Sequence, residues 1–296
     1  MKHELSIPAA GCMLRAELRM AEHPAGIVVL VHGSGITRHD SLNRLVAASL
    51  VRAGFGALLV DLLEECEAHE RHNVFDVEAQ ARRLIAVKDW LRSQPATRAL
   101  DIGYLGTGVG AGVALMAAAK APQGVGALVA RGGRPDTALH CLHQVEAPTL
   151  FIAADAGADR DWVEAAYRAT DGKPELVHLP RAGDSFREPG AIEAVAQHAC
   201  RWFSRHLAAP LEPRIHELET DLRARHPGSD CRVTVEDRVP HAYERRRFNV
   251  RLDVSLAGRS FVVNREHDDD PGVALREAFT AASRQLDALE AAGHRV

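Results

Sequence analysis

The chain has 296 residues, of which 46% are hydrophobic and 26% are charged, and this size and composition predict two globular domains. A formal net charge of −4 excludes a strongly basic nucleic-acid-binding protein and gives no general attraction to membrane surfaces. The five cysteines are widely spaced, and the N-terminus has no apolar signal segment. We therefore expect a soluble, cytoplasmic protein that does not contact membranes.

Short apolar runs alternate with helical patterns over residues 1–207, which we predict to be the first domain. The predicted strands are Ile27–Val31, Ala57–Asp61, Gly126–Ala130, Thr149–Ala153 and Glu175–Leu179. The predicted helices are Asp40–Ala53, Asp76–Ser93, Asp161–Ala169 and Glu188–Leu207, and Glu64–Asn73 is predicted to be a polar loop. This alternation predicts an α/β fold, in which helices cover both faces of a parallel sheet.

A glycine-rich turn lies near the middle of this domain. The stretch Asp101–Gly112 reads as a strand, a tight turn and the start of a helix, the setting in which many hydrolases hold a serine as G-x-S-x-G. Here the pattern has Gly108 at its centre, and glycine has no atom that can attack a carbonyl. The same glycines also fit a dinucleotide-binding fingerprint, but the next strand runs into Arg131 rather than an acidic residue.

The pattern changes after the proline-bearing segment 208–213, which we predict to be a linker. A helix is predicted over Arg214–Arg225, followed by strands at Cys231–Glu236, Arg246–Ser255 and Ser260–Asn264 and a last helix over Pro271–Ala291. Residues 214–296 are thus predicted to form a small α+β domain with an antiparallel meander.

The first domain resembles the dienelactone-hydrolase branch of the α/β-hydrolases. The resemblance is carried by His32-Gly-Ser-Gly35 with Arg38-His39, Leu59–Leu63, Phe75–Leu91, Arg131–Asp136 and Pro180 with Glu188–Ala191. It implies a three-layer α/β-hydrolase-like sheet and places the family's serine at Gly108 and its histidine at Asp184. The family's acid falls after Thr149–Ala153, where Asp155, Asp159 and Asp161 are all candidates. The expected pocket residues are His32, Gly33, Ser34, Thr107, Val109 and Ser185.

Loss of both the nucleophile and the base has a large expected effect on catalysis. Removing either one from a protease triad lowers the rate about a millionfold, which corresponds to roughly 8 kcal/mol of barrier. We therefore expect a non-catalytic domain with no metal and no cofactor. Two alternatives stay open: an esterase or lactonase of non-standard mechanism in which Asp184 activates water, and a scaffold that senses an unknown small molecule.

The second domain resembles the ribosome hibernation-promoting factor and ribosome-associated inhibitor family. The resemblance is carried by Cys231–Glu236, Arg247–Leu256, Val262–His267 and the helix that includes Ala274–Phe279. It implies binding to the small ribosomal subunit through rRNA phosphates, in a stress or translation accessory role. The candidate RNA-binding residues are Arg232, Arg245, Arg246, Arg247, Arg251 and Arg265. Residues 209–296 nevertheless hold 14 arginines, no lysine and 16 acidic residues, so any basic patch is local.

Overall fold

The computed structural model describes residues 2–22, 24–33, 36–171, 174–207, 211–238, 247–256, 258–267 and 271–293. The chain forms two compact units, unit 1 over Met1–Ala209 and unit 2 over Pro210–Val296. Among the helices of these described ranges, none is both long enough and apolar enough to span a membrane.

A mainly parallel sheet forms the centre of unit 1. In the described part of the chain its eight strands are β1 Lys2–Ala9, β2 Cys12–Arg19, β3 Ile27–Val31, β4 Gly56–Val60, β5 Ile102–Thr107, β6 Val125–Arg131, β7 Thr149–Ala154 and β8 Glu175–Leu179. They lie in the order β1-β2-β4-β3-β5-β6-β7-β8. The β1–β2 and β2–β4 pairs are antiparallel, and the other pairs are parallel.

Helices cover both faces of this sheet. They are α1 Ser41–Arg52, α2 Glu65–Ala68, α3 Arg71–Phe75, α4 Val77–Ser93, α5 Val109–Lys120, α6 Arg160–Ala169 and α7 Ala191–His206, with a 3-10 helix over Pro135–Gln144. One apolar layer contains Leu84 of α4 and Leu115 of α5, and the other contains Leu50 of α1 and Phe203 of α7. The predicted α/β fold with a doubly covered sheet is confirmed.

Burial explains why most strands are predictable from the sequence. Every residue of β3, β4, β5 and β7 is buried, because a strand covered on both faces has no side that benefits from polar residues. The hairpin β1–β2 lies at the edge of the sheet and buries only some of its side chains, among them Ile7 and Leu14. No strand is predicted before Ile27, so this hairpin is an addition to the predicted fold.

Two short helices, α2 and α3, occupy the segment that was predicted to be a polar loop. We call residues 64–75 the cap segment. Its first turn has a capping box between Glu64 and Glu67. Arg83 of α4 donates to the Leu62 carbonyl at 2.8 Å and to both carboxylate oxygens of Glu67 at 2.6 and 2.7 Å. These are tertiary contacts, which a local hydrophobic pattern does not reveal.

Unit 2 is built from α8 Leu211–Arg225, β9 Asp230–Arg238, β10 Arg247–Leu256, β11 Arg259–His267 and α9 Pro271–Gly293. In its described part, β10 lies between β11 and β9 in an antiparallel sheet of three strands, as predicted. The helices pack on one face, where Leu222, Leu252 and Phe279 share a core. Helix α8 begins at Leu211, so residues 211–213 of the predicted linker are helical.

Candidate functional site

The connection between β5 and α5 is a sharp elbow centred on Gly108. Gly108 has φ +61° and ψ −132°, a conformation that L residues rarely adopt. Two glycines pack against it: a Cβ on Gly33 would lie 2.8 Å from the Val109 nitrogen, and one on Gly133 would lie 2.3 Å from the Gly108 Cα. A Cβ on Gly108 itself would meet Gly33 Cα at 3.4 Å, an ordinary contact. The elbow is therefore held by its glycine neighbours and leaves room for a side chain at residue 108.

The structure brings Asp159 and Asp184 together beside this elbow. The Asp159 backbone N–H donates to Asp184 Oδ1 at 3.2 Å, and the Gly133 N–H donates to Asp159 Oδ2. Since Gly133 also packs on Gly108, this contact ties the carboxyl pair to the elbow. Asp155 instead lies 3.4 Å from the Nδ1 atom of His178. Asp161 is exposed in the first turn of α6, so Asp159 is the candidate aspartate whose contact with Asp184 the structure describes.

The two carboxyl groups differ in their affinity for protons. Burial, and then the side-chain hydrogen bond with Asp184, raise the pKa of Asp159 to about 6. The same hydrogen bond holds the pKa of Asp184 below its ordinary value. Asp159 is therefore the protonated member of the pair below about pH 6, and Asp184 is the ionised one. Neither group supplies an imidazole that would accept a proton from a hydroxyl nucleophile.

A second group of side chains lies where β3 and β4 end. His32 Nε2 lies 3.0 Å from Asp61 Oδ1, and the Arg38 backbone and guanidinium donate to the same carboxylate at 2.7 and 2.5 Å. Burial disfavours the ionised form of Asp61, but the hydrogen bonds from His32 and Arg38 outweigh it, so the pKa of Asp61 lies below its ordinary value. Asp61 and Arg38 are not among the predicted site residues, although both lie in the motifs that carry the family resemblance.

A cavity of about 970 Å³ opens beside this second group. Its wall includes His32, Arg38 and Asp61 on one side and residues of the cap segment, such as Ala68 and Val74, on the other. Gly33 lines it and also packs against the elbow, so this residue joins the cavity wall to the elbow.

The predicted pocket residues divide into three groups. His32 and Gly33 line the cavity. Thr107 and Val109 are buried in the elbow, and Ser185 is exposed on the loop after β8, so these three do not form its wall. Ser34 lies outside the described residues.

The predicted RNA-binding arginines do not all lie on one face of the unit 2 sheet. Strand register places Arg232 and Arg251 on the exposed face, whereas Arg265 pairs with the buried Val250 and so belongs to the helix-covered face. Arg251 forms an ion pair with Asp253 at 2.9 Å, which offsets its charge. Arg245 and Arg246 lie outside the described residues, and only the backbone of Arg247 is described.

One buried histidine links the two helices of unit 2. His226, at the end of α8, lies 3.0 Å from Ser283 Oγ and 3.2 Å from Glu290 Oε1, both on α9. His226, Asp287 and Glu290 form a group whose potential metal-ligand atoms lie within 4.8 Å of one another. Because both ring nitrogens already face partners, this group connects the helices without requiring an ion.

The dienelactone hydrolase family matches residues 14–209, about two thirds of the chain. The chain belongs to the dienelactone hydrolase family. A crystal structure of a dienelactone hydrolase from Anabaena variabilis is 40% identical to it, with a TM-score of 0.67 over 70% of this chain and 98% of that one. An alpha-beta serine hydrolase homologue from Coxiella burnetii is 16% identical, with a TM-score of 0.58 over 67% and 96% of the two chains, and shows the shared fold.

Relatives from Mycobacterium tuberculosis carry a different name. A protein provisionally named phosphoribosyl transferase, found in two strains, is 47% identical over 210 residues, which cover 70% of this chain and 47% of the relative. The chain thus spans about half the length of these curated relatives, and their name describes the longer proteins. Membership of the dienelactone hydrolase family favours the elbow interpretation of the Gly106–Gly110 turn over the dinucleotide-binding one.

Proposed function

We propose that unit 1 is a dienelactone-hydrolase-family domain that binds a small molecule without forming an acyl-enzyme. The observation that carries the proposal is Gly108 at the centre of the elbow, where the family resemblance places the nucleophile. The carboxyl pair of Asp159 and Asp184 supports it, because the family's histidine position then holds a group with a lowered pKa and little basicity. The cavity at His32, Asp61 and Arg38 is the proposed binding site.

A covalent fluorophosphonate probe tests the catalytic half of this proposal. Wild-type protein should stay unlabelled, and Gly108→Ser combined with Asp184→His should become labelled. The serine Cβ fits without a clash, and the histidine would stand beside Asp159. Stoichiometric labelling of the wild type would overturn the proposal.

The family's ester-hydrolase activity gives the competing function, with water attacking in place of a side chain. Turnover of phenyl acetate or of a dienelactone that disappears in Asp184→Asn would favour this alternative. No turnover above the rate of buffer is expected.

Ligand-observed NMR with phenyl acetate as the probe tests the binding half. A saturation-transfer signal is expected for the wild type and should be lost in Ala68→Trp, which places an indole at the cavity wall. Ala99→Trp is the matched control, since Ala99 is exposed and does not line the cavity. An equal signal in both variants would place the probe elsewhere.

For unit 2 we propose binding to the small ribosomal subunit. The proposal is supported by the order helix, antiparallel meander, helix, and by a polar sheet face that carries Arg232 and Arg251 with their side chains exposed. Co-sedimentation with 30S particles at low salt should fall in Arg232→Ala combined with Arg251→Ala. Arg284→Ala on α9 is the control. Failure of the wild type to co-sediment at any salt concentration would contradict the proposal.

A further inference from the structure

The guanidinium of Arg131 is buried at the carboxyl end of β6. The residue is 4% exposed, and its guanidinium carbon lies 5.7 Å from the centre of the Phe186 ring. Burial lowers the pKa of Arg131 to about 10, against a smaller opposing effect of Asp40. The side chain is therefore still a cation at neutral pH. A buried cation is costly unless an anion or several acceptors compensate it.

The compensation that the protein itself supplies is incomplete. Nε and Nη2 of Arg131 donate to Thr107 Oγ1 at 3.1 and 2.8 Å, and Nη2 also reaches Asn43 Oδ1 at 3.3 Å. Both acceptors are neutral. Among the described residues, no carboxylate forms an ion pair with Arg131.

Two buried donors in this group have no acceptor in the described part of the chain. They are Nη1 of Arg131 and Nδ2 of Asn43, whose side chains already touch through the Nη2–Oδ1 contact. Leaving a buried donor unsatisfied costs about 1–3 kcal/mol, and more for a charged group. An oxygen anion would accept hydrogen bonds from two such donors on adjacent side chains and would neutralise the one that is cationic.

We propose that Arg131 and Asn43 form a binding site for a single oxyanion group, a carboxylate or a phosphate of a small ligand. Three elements converge there: α1 supplies Asn43, β5 supplies Thr107 and β6 supplies Arg131. Thr107 directly precedes Gly108, so the site lies next to the elbow. None of its three residues lines the cavity described above, and the proposal stands apart from the proposed function.

The test is thermal unfolding of the full chain in sodium acetate, in sodium phosphate and in sodium chloride of matched ionic strength. For the wild type, an oxyanion at about ten times its Kd should raise the melting temperature by about 3–5 °C over chloride. A rise in acetate alone identifies a carboxylate site, and a rise in phosphate alone identifies a phosphate site. No rise over chloride in either salt would overturn the proposal.

Asn43→Asp is the decisive variant. It keeps the shape of the side chain and places a carboxylate 3.3 Å from Nη2 of Arg131, which supplies the anion from within the protein. The melting temperature without added oxyanion should rise, and the response to acetate and phosphate should disappear. Arg131→Met should also remove the response if it folds, and Arg134→Gln, on the neighbouring half-exposed arginine, should keep it. A response retained in Asn43→Asp would overturn the proposal.

Discussion

The two sides of the unit 1 site differ in the side chains that they hold. At the ends of β3 and β4, His32 and Arg38 are both hydrogen-bonded to Asp61 beside a large cavity. Beside the ends of β5, β7 and β8, the elbow has its sharp backbone turn, but its centre is Gly108 and its neighbours are two carboxyl groups. The contrast teaches that the backbone of such a site does not depend on the reactive side chains, because glycine packing and strand positions hold it.

The largest effect should come from the glycine packing itself. A methyl group on Gly133 would lie 2.3 Å from Gly108 Cα, and Gly133 has φ +73°. Gly133→Ala should therefore destabilise unit 1 by more than about 4 kcal/mol or prevent folding. Gly11→Ala is the control: its φ is +87° but no atom lies within 4 Å of the added methyl, so it should lose only about 1–2 kcal/mol. Similar losses in urea unfolding would show that backbone conformation, and not packing, holds the elbow.

The second effect concerns the β3–β4 side. Asp61→Asn should lower the free energy of unfolding by about 2–3 kcal/mol at pH 7, because the three hydrogen bonds to its ionised carboxylate are weakened. The pKa of Asp61 is lowered in the folded state, so its contribution is present above the unfolded pKa of about 3.9 and is lost as pH falls through the lower folded value. Denaturation of both proteins from pH 7 to pH 2 should show their difference shrinking below about pH 4. Asp171→Asn, at an exposed position, should change little at any pH.

The third effect is a contribution to stability that changes with pH in the opposite direction. The pKa of Asp159 is raised to about 6 in the folded state, so folding takes up a proton and stability falls as pH rises from about 4 to about 6. Asp159→Asn should remove this slope. Its free energy of unfolding, compared with that of the wild type, should therefore rise by about 1–2 kcal/mol between pH 4 and pH 7. Urea unfolding at these two pH values measures the change. A slope that survives in Asp159→Asn but disappears in Asp184→Asn would reverse the two roles.

The smallest effect concerns the cap segment. Arg83→Gln removes the donors that hold Leu62 and Glu67, and should cost about 1 kcal/mol of global stability. Cleavage of residues 64–75 by a protease under native conditions should increase more than this loss predicts, because the cap segment opens locally. Arg82→Gln, on the exposed side of α4, is the matched control.

Much of unit 1 follows from local sequence. Buried parallel strands are continuous apolar runs, and the turn at Gly108 is marked by glycines, so both are predictable. The β1–β2 hairpin is not predicted from the sequence. Its strand β1 starts with the exposed residues Lys2–Glu4 and contains Pro8, and these residues obscure the alternating burial of Ile7 and Ala9. The helix α8 was predicted to start after Pro213, but proline is tolerated in a first helical turn, and the helix starts at Leu211.

The candidate site was less predictable than the fold. Three aspartates follow β7 closely in the sequence, and only the contact with Asp184 and Gly133 distinguishes Asp159. The pairing of His32 and Arg38 with Asp61 joins residues from two separate strand ends, which only the strand order brings together. The unsatisfied donors of Arg131 and Asn43 depend on side-chain directions that no spacing in the sequence specifies.

Helix α5 has a consequence for the motions of this region. Each residue from Val109 to Ala119 is buried, so the helix has no face in contact with solvent. Its amide protons should exchange with deuterium only when the whole of unit 1 unfolds, whereas those of the cap segment should exchange through local opening. Hydrogen exchange followed by mass spectrometry would then show a slow core directly behind Gly108 and a fast-exchanging cover over the cavity.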